Sequence, residues 1–393
     1  MVKPLKYTCL FGGGAIRGLA YVGTIRALEE LGVEYDIIGG SSVGAIIATL
    51  LACGYKSYEI ENFFMKVRFD LFKDIHLGFG GGFALSKGEI FQEWLNELLQ
   101  NKFEKITDRH VQFKDIEKEL VIITTDIKNF RPQEFSTFET PEFDVAQAIK
   151  VSSSMPGLMP AYEYNDSLLA DGDLQKASPI WKLSEHLNNS ESRILEFRLE
   201  GDCNLNDKNP ISYINTIYSC VTDVATGFVT EIYGKNDRYD CISINTGGIF
   251  FADFNLSKEE RRKLIDLGYT QTLKYFKEFL PQKKESLRNT YSKINKDLKK
   301  LLKGLKSKNV EEVEWWLGKI FIEICENKEI IDPTLYEKLF NLKNNITQNI
   351  STLLFLYQSF KNVKELIKET EYILLVIDEK ITELKLYLQI IKG

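Results

Sequence analysis

Two glycine-rich turns in this chain have the residue types that acyl chemistry requires. The stretch IIGGSSVGAIIA at 37–48 places Gly40, Ser42 and Gly44 in a G-x-S-x-G pattern. An apolar pair precedes it, and a run of small and branched apolar residues, Val43–Ala52, follows. That order predicts strand, sharp turn and buried helix. A serine there is held at a strained backbone position with its hydroxyl above the sheet, as a nucleophile must be. The competing reading is a serine that merely caps the helix.

The second turn lies upstream. The apolar YTCLF at 7–11 runs into Gly12, Gly13, Gly14, Ala15, Ile16, Arg17 and Gly18, followed by a helical pattern at 19–31. Such a turn aims several backbone N–H groups at one point and suits a phosphate or an oxyanion. The spacing does not fit the dinucleotide motif G-x-G-x-x-G, because Ala15 occupies a required glycine position. An oxyanion hole beside Ser42 is therefore the better reading.

The elements that must position these turns are those of an α/β fold. Two successive strand, glycine turn and helix units begin a sheet. LVIITT at 120–125 reads as a strand from the middle of a parallel sheet, and 194–199 and 240–245 as further strands. A helix at 143–151 leads into Ser152, Ser153, Ser154, Met155, Pro156 and Gly157. The region 88–103 reads as an amphipathic helix with Ile90, Phe91, Trp94, Leu95, Leu98 and Leu99 on its packed side. Ser257 and Glu260 form a capping box for a helix expected to end before Pro281. The glycine and phenylalanine loop at 74–87 is either a lid or a long surface turn.

The arrangement resembles the patatin-like phospholipases. The family carries a G-G-G-x-R-G loop, a G-x-S-x-G elbow and an aspartate in D-G-G or D-G-A. This chain has Gly13, Gly14, Ala15, Ile16, Arg17 and Gly18, then Gly40 to Gly44, then Asp171, Gly172 and Asp173 in LADGD. KVSSSMPGLMPA at 150–161 is similar to the family's small-residue run before a Pro-Gly turn. The resemblance covers roughly residues 5–280. It implies a central, mostly parallel sheet flanked by helices, and a Ser42/Asp171 dyad in which Asp171 takes the serine proton. It also implies hydrolysis of ester-linked fatty acids from phospholipids or lysophospholipids through an acyl-enzyme, with no metal and no cofactor.

Two residues depart from the family pattern. Either Ala15 stands at a loop glycine, where it must avoid positive φ or pay steric strain, or the loop holds an extra residue and Gly12, Gly13 and Gly14 are its three glycines. Asp173 replaces Gly or Ala; it either raises the proton affinity of Asp171 or faces water, and water is the expectation. The three histidines, His76, His110 and His186, lie in no motif-like setting, which suits a dyad over a triad. Arg17 is expected to steady the loop or to meet a lipid phosphate.

Composition sets wider bounds. At 393 residues the chain exceeds a typical single domain. With 44% hydrophobic and 27% charged residues it reads as a soluble globular protein, and a net charge of -6 gives no argument for nucleic acid. The six scattered cysteines suit buried thiols in a reducing compartment. No apolar run suggests a signal peptide or a membrane span, so a cytoplasmic, membrane-associated protein is expected, unless it is exported as an effector.

Beyond Pro281 the composition changes, giving expected domains at 1–280 and 281–393. Ten Lys or Arg against two acids fall within 281–308. The same segment places Leu287, Tyr291, Ile294, Leu298, Leu301 and Leu305 on a coiled-coil-like seam. A second seam steps through Leu353, Leu356, Phe360, Val363, Ile367, Thr370, Leu374, Ile377, Ile381, Leu384 and Leu388. Between them lie a helix at 310–325, with Trp315, Trp316, Ile320 and Phe321, and a restart at Pro333. A self-contained helical hairpin or bundle is expected first, a homodimer or protein partner second, a membrane surface third. Two other functions share these residues: an acyltransferase on the same dyad, and a membrane-binding module with little catalysis.

Overall fold

The protein is described here by a computed structural model covering residues 6–69, 86–174, 193–201, 238–249, 253–328, 331–355 and 360–392. It divides into two compact units, one extending to Leu273 and the other beginning at Lys274.

The first unit is built on an eight-stranded sheet. Its strands are β1 (Lys6–Phe11), β2 (Glu34–Ser41), β3 (Glu119–Asp126), β4 (Arg131–Ser136), β5 (Tyr162–Tyr164), β6 (Ser167–Ala170), β7 (Arg193–Glu200) and β8 (Tyr239–Asn245). The order is β5-β6-β3-β2-β1-β7-β8, with β4 also on β3. Strands β3, β2, β1, β7 and β8 are parallel to their neighbours in that run. The middles of β1 and β3 read as largely apolar runs because residues on both faces of these strands are buried.

Strand β3 is parallel to β2 but antiparallel to β4 and β6, so it ends the parallel run instead of lying within it. A strand has two edges, and β4 occupies one of them from Val121 to Asp126. Strands β2 and β6 therefore share the other. β2 pairs up to Ile123, and β6 takes over with Ala170 opposite Thr125. The two strands meet head-on at the end of β2.

Among the described residues the helices of this unit are α1 (Ala20–Glu30), α2 (Val43–Ala52), α3 (Ser57–Lys66), α4 (Glu89–Lys102), α5 (Val145–Ser152) and α6 (Lys258–Lys274). Helix α2 is buried from Gly44 to Ala52, as its uniformly apolar sequence requires. Helix α4 buries Phe91, Leu95, Leu98 and Leu99, but Ile90 is 44% exposed, because it lies off the stripe those four define. Helices α1 and α6 cross at two glycines. A Cβ on Gly23 would lie 1.8 Å from the Ile265 carbonyl oxygen, and one on Gly268 1.8 Å from that of Ala20. The expected capping box opens α6: Ser257 and Glu260 exchange side-chain hydrogen bonds with each other's backbone N–H. Helix α6 ends at Lys274, earlier than Pro281.

The second unit begins with a π-helical turn, Tyr275–Phe279. Four helices follow: α7 (Leu280–Ser307), α8 (Val310–Glu326), α9 (Pro333–Phe355) and α10 (Phe360–Lys392). Pro281 lies in the first turn of α7, directly after that π-helical turn. All six expected seam residues of α7 are buried, and they pack with Val313, Leu317, Ile320 and Ile324 of α8 and with Ile373, Ile377 and Leu384 of α10. The later seam is not one helix: Leu353 belongs to α9, and α10 starts at Phe360. Trp315 points outward, 59% exposed, because the buried stripe of α8 runs through Val313, Leu317 and Ile320. Among the described residues no helix is long and apolar enough to cross a membrane.

Candidate active site

The G-x-S-x-G stretch forms the turn between β2 and α2. Ser42 has φ 52° and ψ -125°, a conformation that L residues rarely adopt. It occupies the N-cap position of α2, yet its side chain makes no capping bond. The capping explanation for this serine therefore fails. Instead, the Ser42 N–H donates to Ser152 Oγ at 2.9 Å, and that hydroxyl donates to the Ile123 carbonyl at 2.6 Å. The small residues at the end of α5 thus fasten the strained turn to β3.

The flanking glycines are required by contact. A Cβ on Gly40 would lie 2.2 Å from the Gly44 carbonyl oxygen, and one on Gly44 2.0 Å from that of Phe11. Gly18 is pressed on Val43, with 2.2 Å from its ideal Cβ to Cγ2. The glycine loop, the elbow and the start of α2 are packed backbone to backbone.

Asp171 follows directly on β6 and is fully buried. Its N–H donates to the Ser154 carbonyl at 2.9 Å. The next residue, Gly172, approaches the Ile123 carbonyl and Ser41 Cβ so closely that its own Cβ would lie 2.2 and 3.0 Å from them. The head-on meeting of β2 and β6 thus brings the Ser42 turn and the Asp171 turn to one place. Among the described residues the Ser42 hydroxyl makes no hydrogen bond, to Asp171 or to any other group.

Asp173 is not in water. It is 4% exposed. Its N–H donates to Asp171 Oδ1 at 2.9 Å, while its own Oδ1 accepts from the Gly13 N–H at 3.3 Å and from the Ser41 hydroxyl. It is buried because the bare Cα of Gly13 leaves room for it. Burial first, and then the charge of Asp171, push its carboxyl up to about 8, against the hydrogen bonds from Ser41 and Gly13 and the charge of Arg17. The signal for this in the sequence was the pair of carboxylates two residues apart.

In the glycine loop, the Gly12 N–H donates to the Phe197 carbonyl at 3.0 Å, and the Gly13 N–H is taken by Asp173. Gly13 is therefore not a donor left for an oxyanion. Among the described residues the N–H groups of Gly14 and Ala15 donate to no protein acceptor. Gly14 has φ 146° and Ala15 has φ 49°, so Ala15 adopts the strained conformation instead of avoiding it. They open a 3-10 turn, Ala15–Leu19, that leads into α1. Arg17 Nε lies 3.5 Å from the Gly14 carbonyl, a contact that steadies the loop.

His110 lies away from these turns, more than half exposed and paired with Asp144 at 2.6 Å. His76 and His186 lie outside the described residues, as does most of the 74–87 loop. Cys9 and Cys53 are buried free thiols, but Cys325 is exposed on α8. Among the described residues no cluster of His, Cys, Asp or Glu could hold a metal ion.

Residues 10–183 match the patatin-like phospholipase family. An uncharacterized protein of Acanthamoeba polyphaga mimivirus is 28% identical over 68% of this chain and 92% of its own length. A lysophospholipase NTE1 from Meyerozyma guilliermondii is 25% identical, over 53% of this chain and 13% of that much longer protein. Among solved structures, VipD from Legionella pneumophila aligns with a TM-score of 0.53 at 15% identity, covering 100% of this chain and 92% of that one. That last likeness is one of fold.

Proposed function

We propose that the protein is a serine hydrolase that releases fatty acids from phospholipids or lysophospholipids, with Ser42 as nucleophile and Asp171 as general base. The observation that carries this reading is the Ser42 turn itself: a buried serine at φ 52° whose side chain caps nothing. Strain of that kind persists only where the surroundings enforce it, and such strain concentrates at functional sites. The family and the lysophospholipase relative support the substrate class.

In the proposed reaction the Ser42 hydroxyl attacks the ester carbonyl carbon as its proton passes to the Asp171 carboxylate. The separation between hydroxyl and carboxylate tightens when substrate fills the site, as catalytic hydrogen bonds commonly do. The N–H groups of Gly14 and Ala15 hold the tetrahedral oxyanion, each donor typically contributing about 3–4 kcal/mol. Asp171 returns its proton to the departing alcohol, leaving an acyl-serine. It then deprotonates a water that attacks the acyl carbon, and the fatty acid leaves as Ser42 is restored.

The test is fatty acid release from lysophosphatidylcholine micelles and mixed phospholipid vesicles by wild type, Ser42→Ala and Asp171→Asn. Each variant is expected to lose at least about 10³-fold in kcat. Wild-type rates in either variant would refute the dyad. Formation of an acylated product when an alcohol is added, in place of free fatty acid, would favour the transacylase reaction.

A further inference from the structure

The mechanism above leaves one buried ionisable group at the site unused. Asp173 is where the family has Gly or Ala, and its side chain makes bonds that neither could supply. One oxygen takes the Gly13 N–H of the glycine loop and the hydroxyl of Ser41, the residue before the nucleophile. The backbone of the same residue donates to Asp171. We infer that Asp173 is a positioning residue that clamps the glycine loop, the nucleophile turn and the base-bearing turn into one unit. The inference rests on the dyad reading of Ser42 and Asp171.

The loop also packs on Gly44 and Val43, and two hydrogen bonds tie Gly12 to other elements. The Gly12 N–H goes to the Phe197 carbonyl of β7, and the Gly12 carbonyl accepts from the Tyr21 hydroxyl of α1 at 2.9 Å. Neither reaches the elbow. The bond from Gly13 to Asp173 does, and its position in the loop has a chemical consequence. With the N–H groups of Gly12 and Gly13 both engaged, the donors left at the turn are those of Gly14 and Ala15. The carboxyl of Asp173 therefore selects which N–H groups face a developing oxyanion, and it holds them in register with Ser42 through Ser41. A hole placed loosely loses transition-state stabilisation while ground-state binding of the lipid is largely kept.

The experiment is steady-state hydrolysis of lysophosphatidylcholine by wild type, Asp173→Ala, Asp173→Asn, Ser41→Ala and the Ser41→Ala/Asp173→Ala double variant, with Ser42→Ala as the inactive reference. Melting curves are recorded for all of them. Asp173→Ala is expected to lower kcat at least about tenfold with KM within about twofold. Asp173→Asn is expected to keep at least about a third of kcat, because its amide oxygen accepts the same two donors. Ser41→Ala is expected to lower kcat several-fold, and to add nothing in the Asp173→Ala background. Should Asp173→Ala fail to fold, Ser41→Ala and Asp173→Asn still decide the matter. The inference is overturned if Asp173→Ala turns over at the wild-type rate, if its effect appears in KM alone, or if the Ser41 and Asp173 effects are independent. An active Ser42→Ala would instead sink the dyad reading, whatever Asp173 does.

Discussion

The carboxylate of Asp173 occupies the space that any side chain on Gly13 would need: an ideal Cβ there would lie 1.6 Å from Asp173 Oδ2. The two positions, 160 residues apart in sequence, are joined by the Gly13 N–H at 3.3 Å. Gly13→Ala is expected to destabilise the protein by about 1–3 kcal/mol, the usual cost of overpacking. In an Asp173→Gly background the obstacle is gone and most of that penalty should vanish. A double-mutant cycle on urea midpoints reads the coupling; additive effects would show that the two residues do not compete for the space.

Stability should depend on pH through Asp173. Its carboxyl is raised in the folded state, to about 8 from an ordinary 3.8. Between those values the folded chain binds more protons than the unfolded chain, so this group's contribution to stability is full below about pH 4 and is lost as pH rises through 8. Asp173→Asn has no proton to release. The fall in urea midpoint from pH 5 to pH 8 is expected to be smaller in that variant than in wild type, and an equal fall would contradict the burial of Asp173.

The crossing of α1 and α6 depends on two missing side chains. Gly23→Ala or Gly268→Ala would push a methyl group into a backbone carbonyl of the facing helix, which cannot move aside as a side chain could. Each is expected to cost about 2–3 kcal/mol by denaturant unfolding. The kcat of the protein that remains folded should be unchanged, since neither residue belongs to the candidate site.

In the second unit, burial separates residues that look alike in the sequence. Leu298→Ala opens the packed interior of the bundle and should cost about 2–5 kcal/mol. Trp315→Ala, at a side chain 59% exposed, should cost less than about 1 kcal/mol. Chemical denaturation followed by circular dichroism distinguishes the two, and similar losses would mean that Trp315 is buried.

Much of this was legible because local signals and tertiary demands agreed. The end residues of α2 and the α7 seam followed from apolar periodicity, and the capping box at Ser257 from side-chain chemistry. The failures have physical causes. Asp173 looked like a surface acid, since nothing in LADGD reveals that a glycine 160 positions upstream leaves it a niche. At Ala15 the residue type leaves open whether the loop avoids positive φ or bears its strain, and it bears the strain. Ile90 was counted with a packed face because hydrophobic side chains were assumed to be buried. The alternation of three and four continued from α9 into α10, two helices that periodicity alone does not separate.

The shared edge of β3 also bears on how the chain tolerates change. The Ser42 and Asp171 turns reach the same edge from opposite directions, so their spacing is counted in ladder hydrogen bonds along one strand. The 40 or so residues between β3 and β6 do not set it. Insertions in turns of that excursion that spare β4 and the Ser152–Ser154 end of α5, which fastens both turns, should leave the spacing of Ser42 and Asp171 untouched, whereas a slip of one residue in the pairing of Ala170 with Thr125 would turn Asp171 to the opposite face of the sheet. Length can drift between these strands; parity cannot.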